Sequence, residues 1–186
     1  AAALGGLTVL TELSRWMVLL HLGLGELLVG CLAVVAVLGW HARGVSAVSS
    51  GERAAERADG RGRDRLNLLV PAAVVAVFVL ILSGSYMVGY GAGSSCATWP
   101  LCRGSLMPGG ETAYAVHMGH RYLSVIVGVL IIATAVSAIE QRSRRPELAW
   151  AGAVLAALFA VQIGVGAATV WSGFTAELKG LHLAVA

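Results

Sequence analysis

Five histidines and three cysteines hold most of the reactive chemistry in this chain of 186 residues. His21, His120 and His182 stand inside apolar runs, His117 lies one helical turn before His120, and His41 marks the end of a run. A titratable side chain in hydrocarbon is costly and is usually kept for a function. An imidazole there serves as a metal ligand, a proton carrier or a hydrogen-bonded core group. Repetition discriminates among these. Residues 5–22 read GGLTVLTELSRWMVLLHL and residues 166–183 read GAATVWSGFTAELKGLHL; both fit G-x-x-T-V-x10-L-H-L, 161 positions apart. His21 and His182 therefore occupy matching points in two copies of one unit. Cys96 and Cys102 bracket the polar stretch SSCATWPLCRG at 94–104. Two cysteines with no histidine beside them do not complete a structural zinc site, and C-x5-C is not the C-x-x-C spacing of thiol oxidoreductases. Cys31, inside an apolar run, reads as a small core residue.

The elements that must position these groups are membrane spans. The chain is 58% hydrophobic and 12% charged, with a mean hydropathy of +0.80, whereas soluble domains carry about 25% charged residues. A spanning helix needs about 20 mostly apolar residues, and four runs supply them: Ser14 to Trp40, Leu66 to Tyr90, Ala113 to Ile139 and Leu148 to Trp171. Ala1 to Leu10 and Ala176 to Ala186 read as the end of one further helix and the start of another. The expected fold is all-α: a polytopic membrane protein of tandem four-helix bundles, with an eight-helix parent of which this chain is a fragment. Trp16, Trp40, Trp150 and Trp171 lie near run ends, as an aromatic belt would. The net charge is +3, and nine of the 13 basic residues fall in two connections, 41–65 and 141–147. Their arginines lack interleaved aromatics, which argues against nucleic-acid binding. The positive-inside rule makes both connections cytoplasmic and puts the cysteine loop (91–112) and 172–177 outside. An oxidising space preserves disulfides, so Cys96–Cys102 is expected as a short staple.

This topology gives the histidines a depth. His21 and His120 lie seven residues into their runs and His182 six, so each sits roughly 10 Å below the outer end of its helix. His120 and His182 share one repeat, one depth and one direction, and are expected as an axial pair for haem iron. Their separation of 62 residues places a partner for His21 upstream of Ala1. His117 shares the face of His120 one turn outward and reads as an alternative ligand, a proton carrier, a propionate partner or an interfacial polar residue. Arg121 either snorkels outward or pairs with a haem propionate. Gln162 is placed to hydrogen-bond across helices, with Gly164 and Gly166 permitting close packing. Glu26 takes no assigned role.

The chain resembles the haem A synthases. The resemblance rests on GAGSSCATWPLCRGSLMP, HMGHRYLS, LFAVQIGVGAATV and LHLAVA in the second half of the pattern, and on GGLTVLTELSRWMVLLHL at the end of the first. It implies an eight-helix enzyme of two four-helix halves that oxidises a ring methyl of haem O to a formyl group. It implies a haem b cofactor between His120 and His182, and His21 as the substrate-haem ligand. The family's catalytic glutamate, in E-x-x-H-R, would belong to the missing N-terminal part; His117 takes that position in the half present. Residues 1–40 are then the end of the substrate half, 41–65 a cytoplasmic linker and 66–186 the cofactor half. Implied partners are haem O, membrane lipid, and a haem O synthase or oxidase assembly factors. A bacterial plasma membrane is the expected location. The competing functions are a non-enzymatic di-histidine cytochrome b and a thiol oxidoreductase with an exposed cysteine pair.

Overall fold

The computed structural model describes residues 15–44, 60–107 and 109–186, and their regular elements are all helices. They are α1 (Arg15–Gly44), α2 (Gly60–Gly89), α3 (Thr112–Ile139), α4 (Pro146–Trp171) and α5 (Ala176–Val185). In hydrocarbon a backbone must satisfy its own hydrogen bonds, and a continuous helix does so within one segment. Four helices are long and apolar enough to span: Trp16–Val35, Arg65–Gly89, Thr112–Ile139 and Pro146–Trp171. α2 begins at Gly60, six residues before the expected start, because charged residues that end an apolar run do not end a helix. Pro71 is tolerated inside it. The first partial helix and residues 45–59 of the linker lie outside the described residues.

Each helix packs on its sequence neighbours, α1 on α2, α2 on α3, α3 on α4 and α4 on α5. α3 is the most buried of the spans, and it has the polar residues to match. Thr134 and Ser137 are buried and return their hydroxyl protons to the carbonyls of Leu130 and Ala133 at 2.8 Å. No polar group there needs water.

The α3–α4 seam is built on small residues. A Cβ added at Gly152 would stand 2.9 Å from the Ala135 carbonyl oxygen and 2.9 Å from the Ala138 Cβ. One added at Gly128 would meet the Phe159 ring at 2.8 Å. Without a hydrophobic drive between helices in lipid, such backbone approach is what holds spans together. Val125, Ile126, Val129 and Ile132 of α3 are all exposed on the protein surface, where lipid tails would cover them. Trp16, Trp150 and Trp171 are exposed too; the Trp40 side chain is outside those described.

Candidate functional site

His120, on α3, is held by α2. Its ring rests on Gly84, where a Cβ would stand 3.1 Å from the imidazole Cε1. The adjacent Ser83 Oγ lies 2.7 Å from His120 Nδ1. Ser83 has one hydroxyl proton and donates it to the Leu80 carbonyl at 2.7 Å. The oxygen therefore accepts from Nδ1–H. That choice of tautomer leaves the Nε2 lone pair free, the state in which imidazole binds iron.

His182, on α5, is held in parallel fashion by α4. A Cβ at Gly166 would stand 3.0 Å from its Cε1 and 3.5 Å from its Nδ1. One turn earlier, Gln162 donates from Nε2 to the His182 carbonyl at 2.9 Å. Thr169 Oγ1 lies 2.8 Å from the Val165 carbonyl and 3.3 Å from the Leu178 carbonyl, tying α4 to the first turn of α5. In this copy of the motif the glycine admits the histidine ring, and the threonine anchors the helix that carries it. The first copy's Gly5, Thr8 and Val9 lie outside the described residues.

Three polar side-chain atoms are buried with no hydrogen-bond partner among the described residues: Nδ1 of His21, Nδ1 of His182 and Oε1 of Gln162. Orphaned buried atoms are rare and mark unfinished chemistry. Two of the three belong to the histidines that the repeat equates. Among the described residues no three His, Cys, Asp or Glu side chains converge for a metal ion. A porphyrin brings four nitrogens of its own and asks the protein for one or two axial ligands. A free Nε2 on His120, an unsatisfied His182 and a glycine behind each ring suit such a group.

His117 and Arg121 serve the adjoining loop instead. His117 Nδ1 donates to the Ala92 carbonyl at 2.9 Å, and its Nε2 accepts from Arg121 at 3.1 Å. Both ring nitrogens therefore have hydrogen-bond partners. The Arg121 guanidinium also donates to the carbonyls of Thr98 at 2.8 Å, Pro100 at 3.0 Å, Leu101 at 3.3 Å and Cys96 at 3.2 Å. The guanidinium is thus folded onto the loop.

Cys96 and Cys102 form the expected disulfide, with Cα atoms 4.9 Å apart. Both are fully buried, against Met118 and Tyr114. A buried disulfide is a poor match to a thiol oxidoreductase, which needs an accessible pair. The loop is docked at several points. Trp99 meets Trp171 edge-on at 5.7 Å, Arg103 lies over Tyr114 at 5.4 Å, and Tyr122 donates to the Leu106 carbonyl. His117 in turn meets Phe174 of the 172–175 connection at 6.4 Å. Cys31 is a free, exposed cysteine, not a core residue.

Between α1 and α2 runs an apolar groove of about 720 Å³, lined by Trp16, Leu20, Leu24, Phe78, Leu82 and Ser83 among others. Its wall includes the serine that orients His120. Sequence reasoning passed over Ser83 and Gly84, although S-G-S at 83–85 interrupts an otherwise apolar run and was the available signal. Glu26 is half-buried on α1. The His41 side chain is outside those described.

The fold is that of a polytopic helical protein with four helices long and apolar enough to cross a membrane. The whole chain, residues 1–186, matches the COX15-CtaA family model, described as cytochrome oxidase assembly protein. The chain belongs to that family. It is 29% identical to the "Heme A synthase" of Rhodospirillum centenum, over 95% of this chain and 47% of that one. It is 27% identical to the "Heme A synthase" of Bacillus licheniformis, over 60% of this chain and 37% of that one. It is also 39% identical to the "Protoheme IX farnesyltransferase" of Haloarcula marismortui, over 63% of this chain and 25% of that one. The chain thus spans from a quarter to about half of these relatives. No solved structure matches it.

Proposed function

We propose that the chain forms the end of the substrate half (1–40), the linker (41–65) and most of the cofactor half (66–186) of a haem A synthase. In this reading the complete protein oxidises a methyl group of haem O to a formyl group. The observation that carries it is the pair His120 and His182, the first with Nε2 freed by its bond to Ser83. His120 and His182 would hold a haem b, and His21 would hold the substrate haem in the other half. Bound haem supplies one-electron transfer, which a multi-electron oxidation of a methyl group requires nearby. The protein's own residues supply ligand orientation, a hydrocarbon setting and a sealed end. His117, Arg121 and the disulfide-closed loop cover the helix end that carries His120. The arginine-rich connections support a cytoplasmic face opposite that loop.

The farnesyltransferase relatives carry a stretch like this chain in a quarter of their length. That joining supports a haem-farnesylating enzyme as the neighbour that supplies haem O. The test is spectroscopic. In membranes holding the full-length protein, His120→Ala and His182→Ala should each abolish the reduced-minus-oxidised band of a b-type haem, and His21→Ala should leave that band in place. A band unchanged by both of the first two substitutions refutes the reading.

A further inference from the structure

Ser83 completes His120, but the equivalent contact for His182 is unmade. Two complementary atoms stand unpaired beside it. His182 Nδ1 is a donor in the tautomer that frees Nε2, and Gln162 Oε1 is an acceptor. Both are buried, and both belong to side chains already joined by the bond from Gln162 Nε2 to the His182 carbonyl at 2.9 Å. Gly166, one turn along α4 from Gln162, lies against the ring, nearer to Nδ1 than to Nε2. The layout matches that at His120, where the orienting polar group and the ring-bearing glycine also come from the preceding helix.

We infer that Gln162 is the positioning residue for His182: its Oε1 accepts the Nδ1–H of that histidine when the ring is engaged as a ligand. The inference rests on the reading of His182 as a haem ligand. One hydrogen-bond donor meets one acceptor, the amide keeps its existing bond to the backbone, and no buried polar atom is left over. A leucine at 162 would preserve the volume and forfeit both bonds. Outer partners of this kind are typically worth about 10–100-fold in affinity for the group they help to hold.

The experiment uses the full-length protein in membranes, with haem retention, the reduced-minus-oxidised spectrum and the midpoint potential of the b-type haem as readouts. Gln162→Leu should weaken haem retention by about 10-fold or more. It should also raise the midpoint, because an imidazole without an acceptor at Nδ1 donates less charge to oxidised iron. Gln162→Glu keeps an acceptor oxygen in either protonation state, and should return the midpoint to the wild-type value or below it. A packing role alone would move both variants the same way. Equal midpoints in wild type, Leu and Glu variants overturn the inference while the haem band itself stands. If Gln162→Leu does not accumulate, Gln162→Glu against Gln162→Met decides on the same readout. Loss of the underlying reading looks different: the band would then survive His182→Ala.

Discussion

Replacing Gly166 by alanine tests whether the glycine behind His182 serves the ligand or only the helix. The new Cβ would stand 3.0 Å from His182 Cε1, whereas carbon atoms in good contact lie about 3.5–4.0 Å apart. The ring must retreat by roughly 0.5–1 Å, and it has little freedom, since Gln162 and Thr169 pin α5 to α4 on either side. Overpacking of this size costs about 1–3 kcal/mol. Alanine also favours a helix over glycine by about 1 kcal/mol. The two effects separate by assay. Helix propensity acts equally with and without a bound group, so it offsets the loss in thermal stability but not in affinity.

The expected outcome is a stability loss of no more than about 2 kcal/mol with haem retention weakened about 5- to 150-fold, at 1.4 kcal/mol per decade. Retention is measured by titrating haem into the purified full-length protein in detergent and following the Soret band. Gly164→Ala is the control. It lies two residues away on the same helix, and nothing stands within 4 Å of its added Cβ. It should gain slightly in stability and bind as the wild type does. If Gly166→Ala binds haem as tightly as Gly164→Ala, the glycine is not there for the ring and the argument fails.

Three further perturbations follow from the same contacts. Ser83→Ala removes the acceptor of His120 Nδ1–H and should weaken haem retention about 10–100-fold, with Ser83→Thr restoring most of it in the same titration. Gly152→Ala drives a Cβ into the Ala135 carbonyl oxygen, and backbone cannot move aside as a side chain can; thermal unfolding in detergent should show a loss of about 1–3 kcal/mol, and an unchanged melting point would contradict the close seam. Replacing Cys96 and Cys102 together by serine should cost roughly 2 kcal/mol for so short a closed loop, read in the same melt. The haem band should survive it, because the pair is part of the cover and not of the ligand set.

The spans were legible because lipid leaves the chain few choices: a run of about 20 apolar residues forms a helix or does not cross. Ala113 to Ile139 was expected and Thr112–Ile139 is found. Helix ends were less legible where charge, not apolarity, continues the helix, as at Gly60. His120 and His182 stood out because one repeats and both interrupt apolar runs. Ser83 and Gly84 did not, since serine and glycine are unremarkable in a span until a ring is found against them. The contacts of His117 were hidden for a related reason. Its sequence position, one turn from His120, suggested shared chemistry, and only the loop's carbonyls reveal where its nitrogens are spent. Long-range contacts between a loop and a helix face leave no periodic trace.

The contrast between His117 and His120 also says how such a protein can keep two histidines one turn apart without confusing them. Both have Nδ1 bound to an oxygen, at 2.9 Å and 2.7 Å, so both present Nε2 as the lone-pair nitrogen. What separates them is the neighbour on that second side. Arg121, one turn past His117, reaches back to fill its Nε2 and spends its other protons on four loop carbonyls. A guanidinium so engaged cannot swing away without leaving several acceptors unpaired, at a cost of about 1–3 kcal/mol for each that is buried. It thereby keeps His117 committed, and it keeps its positive charge next to the nitrogen that would otherwise compete for iron. His120 has Gly84 against its ring and a hydroxyl on its first nitrogen. On the proposed reading of His120 as a haem ligand, ligand choice would rest on what occupies the second nitrogen. Arg121→Leu should accordingly do more than loosen the loop: by freeing Nε2 of His117 it should let that histidine bind in place of His120, restoring part of the b-type band to a His120→Ala background. A double variant as devoid of the band as His120→Ala alone would refute this account of selectivity.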